Sequence, residues 1–123
     1  MKVILYGENE KELQQLTEYL EYCGRTELRH VYVTSFSEHV DFCRAVRDGT
    51  APPDLFVIAL NGTSSLEIME MVRAGYPDID IFWFSDLDFA VRSYLYGTLW
   101  FGRKPVSLED MQKAFRRKIS REK

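Results

Sequence analysis

Several things are scarce in this chain of 123 residues, and each scarcity removes a class of protein. No apolar run approaches the ~18 residues that a membrane-spanning helix needs, so no membrane partner is expected. Cysteine occurs only twice, at Cys23 and Cys43, too sparsely for a disulfide framework. Both positions fall on apolar helical faces and read as buried free thiols. The net charge of −3 supplies no basic face, which argues against nucleic-acid binding. There is no Gly-rich phosphate loop, no Gly-x-Ser-x-Gly elbow and no Cys-x-x-Cys pair. The first residues enter a strand pattern at once and turn acidic at Glu8 and Glu10, so no signal peptide is expected. A cytoplasmic location fits all of these absences.

What is present is a regular alternation. Hydrophobic residues make up 46% and charged residues 28%, the balance of an ordinary globular protein, and the length suits one domain over residues 1–123. Apolar runs at Lys2–Tyr6, Arg29–Thr34, Asp54–Leu60, Ile79–Phe84 and Thr98–Phe101 read as strands. The first, third and fourth are almost continuously apolar, as in strands covered on both faces of a parallel sheet. Helical spacing separates them: Leu13, Leu16, Leu20 and Cys23; Val40, Cys43 and Val46; Leu66, Met69 and Val72; Val91, Tyr94 and Leu95; Leu108, Met111, Phe115 and Ile119. Asn9-x-x-Glu12, Ser35-x-x-Glu38 and Ser64-x-x-Glu67 have the form of capping boxes, with Ser107-x-x-Asp110 a weaker relative. Gly24, Gly49, Gly75 and Gly97 stand where left-handed helix caps are expected. The pattern predicts an α/β fold, a (βα)5 doubly wound sheet of five parallel strands with right-handed crossovers.

Ligands of such a sheet sit beyond the carboxyl ends of the strands, at the point where the strand order reverses. That directs attention to Gly7, Glu8, Asn9, Ala59, Leu60, Asn61, Ser85, Asp86, Lys104 and Pro105. At these positions the chain resembles the receiver domain of response regulators over nearly its whole length. Gly97-Thr98-Leu99-Trp100-Phe101-Gly102-Arg103-Lys104-Pro105 is similar to that family's Gly-Ala-x-x-aromatic-x-x-Lys-Pro signature. Ser85 ends the fourth strand where the family keeps Ser or Thr, and Pro53-Asp54-Leu55 resembles its approach to the third strand. The Lys11–Tyr22 helix and Val33-Thr34-Ser35-Phe36 look most like receivers of the LytTR group. The resemblance implies a flavodoxin-like fold, a cis peptide before Pro105, and signalling through the face made by helix four, strand five and helix five.

The departures from the family bear directly on function. Where receivers carry the aspartate that takes the phosphoryl group, this chain has Ala59, whose methyl group neither attacks phosphorus nor binds Mg²⁺. The acidic pair after strand one is reduced to Gly7-Glu8. Magnesium wants near-octahedral oxygen coordination, and one glutamate should hold it weakly, so no metal or other cofactor is expected. Asp54 lies at the opposite end of the strand, ~15 Å or more away by strand rise. The vestigial pocket therefore comprises Glu8, Ala59, Asn61, Ser85, Asp86, Lys104 and Pro105. Lys104, deprived of its acceptor partner, is expected to pair with Glu8, Asp86 or both, the other choice being solvent. Asp86 could instead be a helix N-cap.

On the signalling face, Trp100 stands at a commonly acidic position beside Phe101, with Tyr94 and Tyr96 close by. These aromatics have the composition of an interface anchor for a signalling protein or a second copy, unless Trp100 folds back over helix five. The basic run from Lys113 to Lys123 reads as a solvated helix end that complements the helix dipole, or as a junction to an output domain. Other constellations carry less. His39 and Cys43 meet at i, i+4, but a metal site needs more ligands and His30 lies elsewhere. Gly62-Thr63-Ser64-Ser65 reads as a loop with a Ser cap sooner than as an anion nest. The histidine that cobalamin-binding relatives of the fold offer after strand one is missing. Three readings follow. The first is a phosphorylation-independent, non-enzymatic interaction module. The second is a small-ligand or phosphoryl sensor using Glu8, Ser85 and Lys104. The third is a dimerisation domain from a longer regulator.

Overall fold

The computed structural model describes residues 1–49 and 51–122, so Lys123, the end of the basic run, lies outside the described residues. Five strands and five helices alternate: β1 (Lys2–Gly7), α1 (Glu10–Thr26), β2 (Tyr32–Phe36), α2 (His39–Asp48), β3 (Leu55–Ala59), α3 (Ser64–Gly75), β4 (Asp80–Ser85), α4 (Ala90–Leu95), β5 (Trp100–Arg103) and α5 (Leu108–Arg121). All strand pairs are parallel, in the order β2-β1-β3-β4-β5. Every residue of β3 and β4 is buried, which explains their unbroken apolar runs. Successive side chains point to opposite faces. Val3, Leu5, Leu55, Val57, Phe82 and Phe84 meet α1 and α5, while Tyr6, Phe56, Ile58, Ile81 and Trp83 meet α2, α3 and Phe89 before α4. No helix among the described residues is long and apolar enough to cross a membrane.

Helix starts follow local chemistry only in part. Asn9 and Ser107 cap α1 and α5, accepting from the backbone N–H groups of Glu12 and Asp110 at 3.0 and 3.1 Å. Ser35 is no cap, because β2 runs through it and pairs with β1 as far as Phe36. Ser64 lies inside α3 and donates its hydroxyl to the Asn61 carbonyl, leaving Thr63 as the capping residue. Of the four glycines assigned to left-handed caps, only Gly97 has positive φ, +65°. Gly24 sits within α1, where a Cβ would come 2.6 Å from Val31 Cγ2, so close packing explains it better.

Two helical faces are rotated from expectation. In α2 the buried residues are Phe42 and Val46, while Val40 is exposed and Cys43 half-buried. In α4 the inward stripe is Phe89, Ser93 and Tyr96, spaced i, i+4, i+7. Val91, Tyr94 and Leu95 instead face solvent, at 78%, 85% and 76% exposure. The turn after α4 is anchored by Arg73 of α3. Its guanidinium donates to the carbonyls of Tyr96, Tyr76, Ile79 and Gly97 at 2.6 to 3.1 Å.

At the foot of the sheet, Lys118 of α5 reaches Asp80 at 2.8 Å, with both side chains about nine-tenths buried. Arg121 pairs with the other oxygen of Asp80, also at 2.8 Å. Removing one partner of a buried pair strands the other charge in low dielectric. Asp80→Ala is therefore expected to destabilise the fold by about 3 kcal/mol, read from urea unfolding. A loss within ~0.5 kcal/mol, the usual range for surface substitutions, would show that the pair does not pin α5 to β4.

Candidate functional site

The strand order reverses between β1 and β3, and the residues at their carboxyl ends lie side by side, with Gly7 in register with Ala59. This is the switch-point crevice of a doubly wound sheet. Ala59 is fully buried, and its methyl group belongs to the core shared with α1 and α5. A Cβ at Gly7 would approach the Ala59 carbonyl oxygen to 3.1 Å and Leu13 Cδ2 to 3.0 Å. The two backbones are packed too closely for a carboxylate side chain at Gly7 without rearrangement.

Lys104 leaves the end of β5 and points into this crevice. Its backbone N–H donates to the Ser85 carbonyl at 2.9 Å. Its ammonium donates to the Ala59 carbonyl at 2.7 Å and to Glu12 Oε1 at 2.7 Å. The side chain is only 11% exposed, and Glu12 is 24% exposed, so the pair is well removed from bulk water. The partner is thus neither Glu8 nor Asp86, as the sequence had suggested, but Glu12. Position explains the difference. Glu12 is the third residue of α1, aligned by the Asn9 cap, and its carboxylate lies over the mouth of the crevice. The capping pattern that marks Glu12 in the sequence predicts a local role, and only the fold reveals its long-range one.

The two acids expected beside Lys104 serve the neighbouring loops. Glu8 is exposed, and its Oε1 accepts from the backbone N–H of Asn61 at 3.2 Å. Asp86 Oδ1 accepts from the N–H of Gly62 at 2.9 Å and from the Ser85 hydroxyl at 3.3 Å. Gly62 has φ +72°, a conformation that glycine adopts freely, and this aims its N–H at Asp86. The Gly62 hydrogen bond, above all, holds the Asp86 carboxyl below its usual range, with smaller help from Ser85 and the charge of Lys104. Asp86 does not cap α4; Asp88 accepts from the N–H of Ala90 instead, at 3.1 Å. Ser85 is fully buried, and its oxygen also accepts from the N–H of Leu87. Asn61 is exposed on the β3–α3 loop, and Pro105 follows a cis peptide, as the resemblance implied. Among the described residues, no three His, Cys, Asp or Glu side chains converge on a point that could hold a metal ion.

The four aromatics of the expected interface divide between surface and core. Trp100 is half-buried against the α1–α5 core, with the Arg117 guanidinium 4.8 Å above its ring centroid. Phe101 meets Trp83 edge-on at 5.5 Å, and the Tyr96 hydroxyl donates to Glu70 of α3 at 3.3 Å. Tyr94 alone projects freely, together with Val91, Leu95 and the 40% exposed Leu87. Sequence periodicity assigned Val91 and Leu95 to the core and so missed them as surface.

Double-mutant cycles test the Lys104 pairing. Lys104→Met and Glu12→Gln are expected to couple by about 1–2 kcal/mol, while cycles of Lys104 with Glu8 or Asp86 give clearly smaller coupling. Equal coupling to all three acids would contradict the geometry. Because its folded pKa is depressed, Asp86 stabilises the protein above its unfolded value of about 3.8. That contribution is lost as pH falls through the folded value, so Asp86→Asn should flatten the acid limb of a stability–pH curve.

No protein-family model and no curated protein matches the chain. Solved structures do. A response regulator receiver domain protein from Clostridium thermocellum superposes with TM-score 0.79 at 20% identity, over 98% of this chain and 95% of that one. A protein of Burkholderia thailandensis described as a candidate pilus assembly protein (cpaE) gives 0.75 at 18% identity, over 98% of each chain. A response regulator CheY-like protein from Mesorhizobium loti gives 0.69 at 19% identity, over 95% and 97%. At these identities the likeness is one of architecture: the chain has the flavodoxin-like (βα)5 fold found in response-regulator receiver domains.

Proposed function

We propose that this chain is a receiver-like signalling module of the two-component type that works without phosphorylation, by protein–protein interaction, in the cytoplasm. The observation that carries the reading is the destination of Lys104. Its ammonium is met at the end of β3 by the carbonyl of Ala59 and from α1 by Glu12. A side-chain acceptor on β3 is lacking, and the lysine's charge is already neutralised from within the protein. This arrangement supports a crevice that needs no phosphoryl group to balance its lysine. Ser85, Glu8 and Lys104 each have protein partners, which favours this reading over a ligand sensor built on them. The neighbours described as receiver or pilus assembly proteins fit a module of this kind.

Output on this reading passes through the helix four–strand five–helix five face, with Tyr94, Tyr96 and Phe101 on the α4 side of β5 and Trp100 on its α5 side. Val91, Tyr94 and Leu95 give that face its free apolar contact area; Tyr96 and Phe101 support α4 from beneath, while Trp100 packs on the opposite side of the sheet against the α1–α5 core, under Arg117.

Titration with beryllofluoride and Mg²⁺, followed by the fluorescence of Trp83 and Trp100, tests the phosphorylation claim. Beryllofluoride imitates a phosphoryl group on a carboxylate. A flat response from the folded protein is expected; a saturable, Mg²⁺-dependent change would mean that another acid has taken the acceptor role. The surface claim is tested with Leu95→Asp, which should leave stability within about 0.5 kcal/mol because the side chain is exposed. The same variant should remove the concentration-dependent sedimentation expected of the wild type, a second copy being the first partner to examine.

A further inference from the structure

A second cluster of reactive side chains lies on the α2 side of the sheet, apart from the Lys104 crevice. His39 opens α2, and Cys43 follows one turn later on the same face. Cys43 Sγ lies 3.4 Å from His39 Nε2. The other ring nitrogen, Nδ1, lies 3.4 Å from the hydroxyl of Tyr6 on β1. Tyr6 is buried, and its ring stacks on that of Phe42 at 4.2 Å, which fixes the hydroxyl in place. His39 is exposed and Cys43 half-buried, so a small reagent reaches the sulfur. A nucleophile within hydrogen-bond reach of a base, with the base oriented by a third group, is the arrangement that activates thiols.

We propose that Cys43, His39 and Tyr6 form a thiol-modification site that exchanges with low-molecular-weight disulfides. When Nδ1–H donates to the Tyr6 oxygen, Nε2 is left as an acceptor for the Cys43 S–H. As the sulfur attacks one sulfur of the disulfide, the S–S bond breaks and a new bond to Cys43 forms. Nε2 takes the thiol proton and passes it to the departing thiolate. The Cys43 sulfur is oxidised, the leaving sulfur is reduced, and the products are a mixed disulfide and one free thiol. Tyr6 acts as a positioning residue. Burial, first, and the carboxylates of Glu8 and Glu38 help push its hydroxyl above the usual tyrosine range, so it remains a protonated phenol. The protein carries its own control. Cys23 is buried in α1 and its thiol is pushed up to about 11, mainly by burial, which suits an inert core residue.

Glutathione disulfide is the probe, with intact mass and peptide mapping as the readout on the full chain. One glutathione adduct is expected, on Cys43 and not on Cys23, and Cys43→Ser should abolish it. His39→Ala should slow the reaction by about tenfold at unchanged circular dichroism, and added imidazole should restore part of the rate. Tyr6→Phe, which keeps the ring, should slow it less. In urea the two cysteines should react alike, and Cys43 should react more slowly than in the folded protein. Equal rates for wild type and His39→Ala, no gain from folding, or modification of Cys23 in the folded chain would each overturn the proposal. The result does not depend on the state of the Ala59 crevice.

Discussion

A parallel sheet has no solvent-facing side, and that constraint organises everything else in this protein. Because β3 and β4 are buried along their whole length, each face must be covered by helices. The crossovers that supply this cover bring all the loops at one end of the sheet together. The charged side chains at that end then meet a floor of backbone and core. Lys104 meets there the backbone carbonyl that ends β3 and the carboxylate of Glu12.

The electrostatics at the two ends of the sheet use the same device for different purposes. At the carboxyl end, a lysine from beyond β5 bridges to α1 and to the β3 backbone. At the opposite end, Lys118 and Arg121 of α5 converge on Asp80 at the start of β4. In both places a cation from the C-terminal third of the chain is neutralised by an acid from an earlier element. These contacts hold α5 and the loop before it against the sheet through charge as well as through apolar burial. Hydrophobic contact alone specifies orientation only loosely, whereas charge-assisted bonds demand particular atoms.

The sequence disclosed the order of elements because the evidence for it is local: apolar runs, periodicity, and caps at Asn9 and Ser107. It disclosed the position of the switch-point crevice for a related reason, since that point depends only on strand order. It did not disclose the partner of Lys104. Glu12 is ninety-two residues away, and its spacing from Asn9 already has a sufficient local explanation. The face of α4 was misread because a helix of six residues gives periodicity too little length, and three apolar residues outvoted the pair Phe89 and Ser93. On α2 the same error favoured Val40 over Phe42. Short helices beside a sheet edge are where tertiary packing overrules pattern most easily.

Arg73 gives α4 a mechanical asymmetry. Four carbonyl groups converge on one planar guanidinium, and two of them, from Tyr96 and Gly97, belong to the turn that closes the helix. The far end of α4 has no comparable clamp; Phe89 enters by packing on Trp83. One end of the helix is thus bolted and the other rests on a ring stack. The end of α4 is thereby tied to particular atoms of a neighbouring helix, whereas its start is placed by ring packing, which sets orientation less strictly.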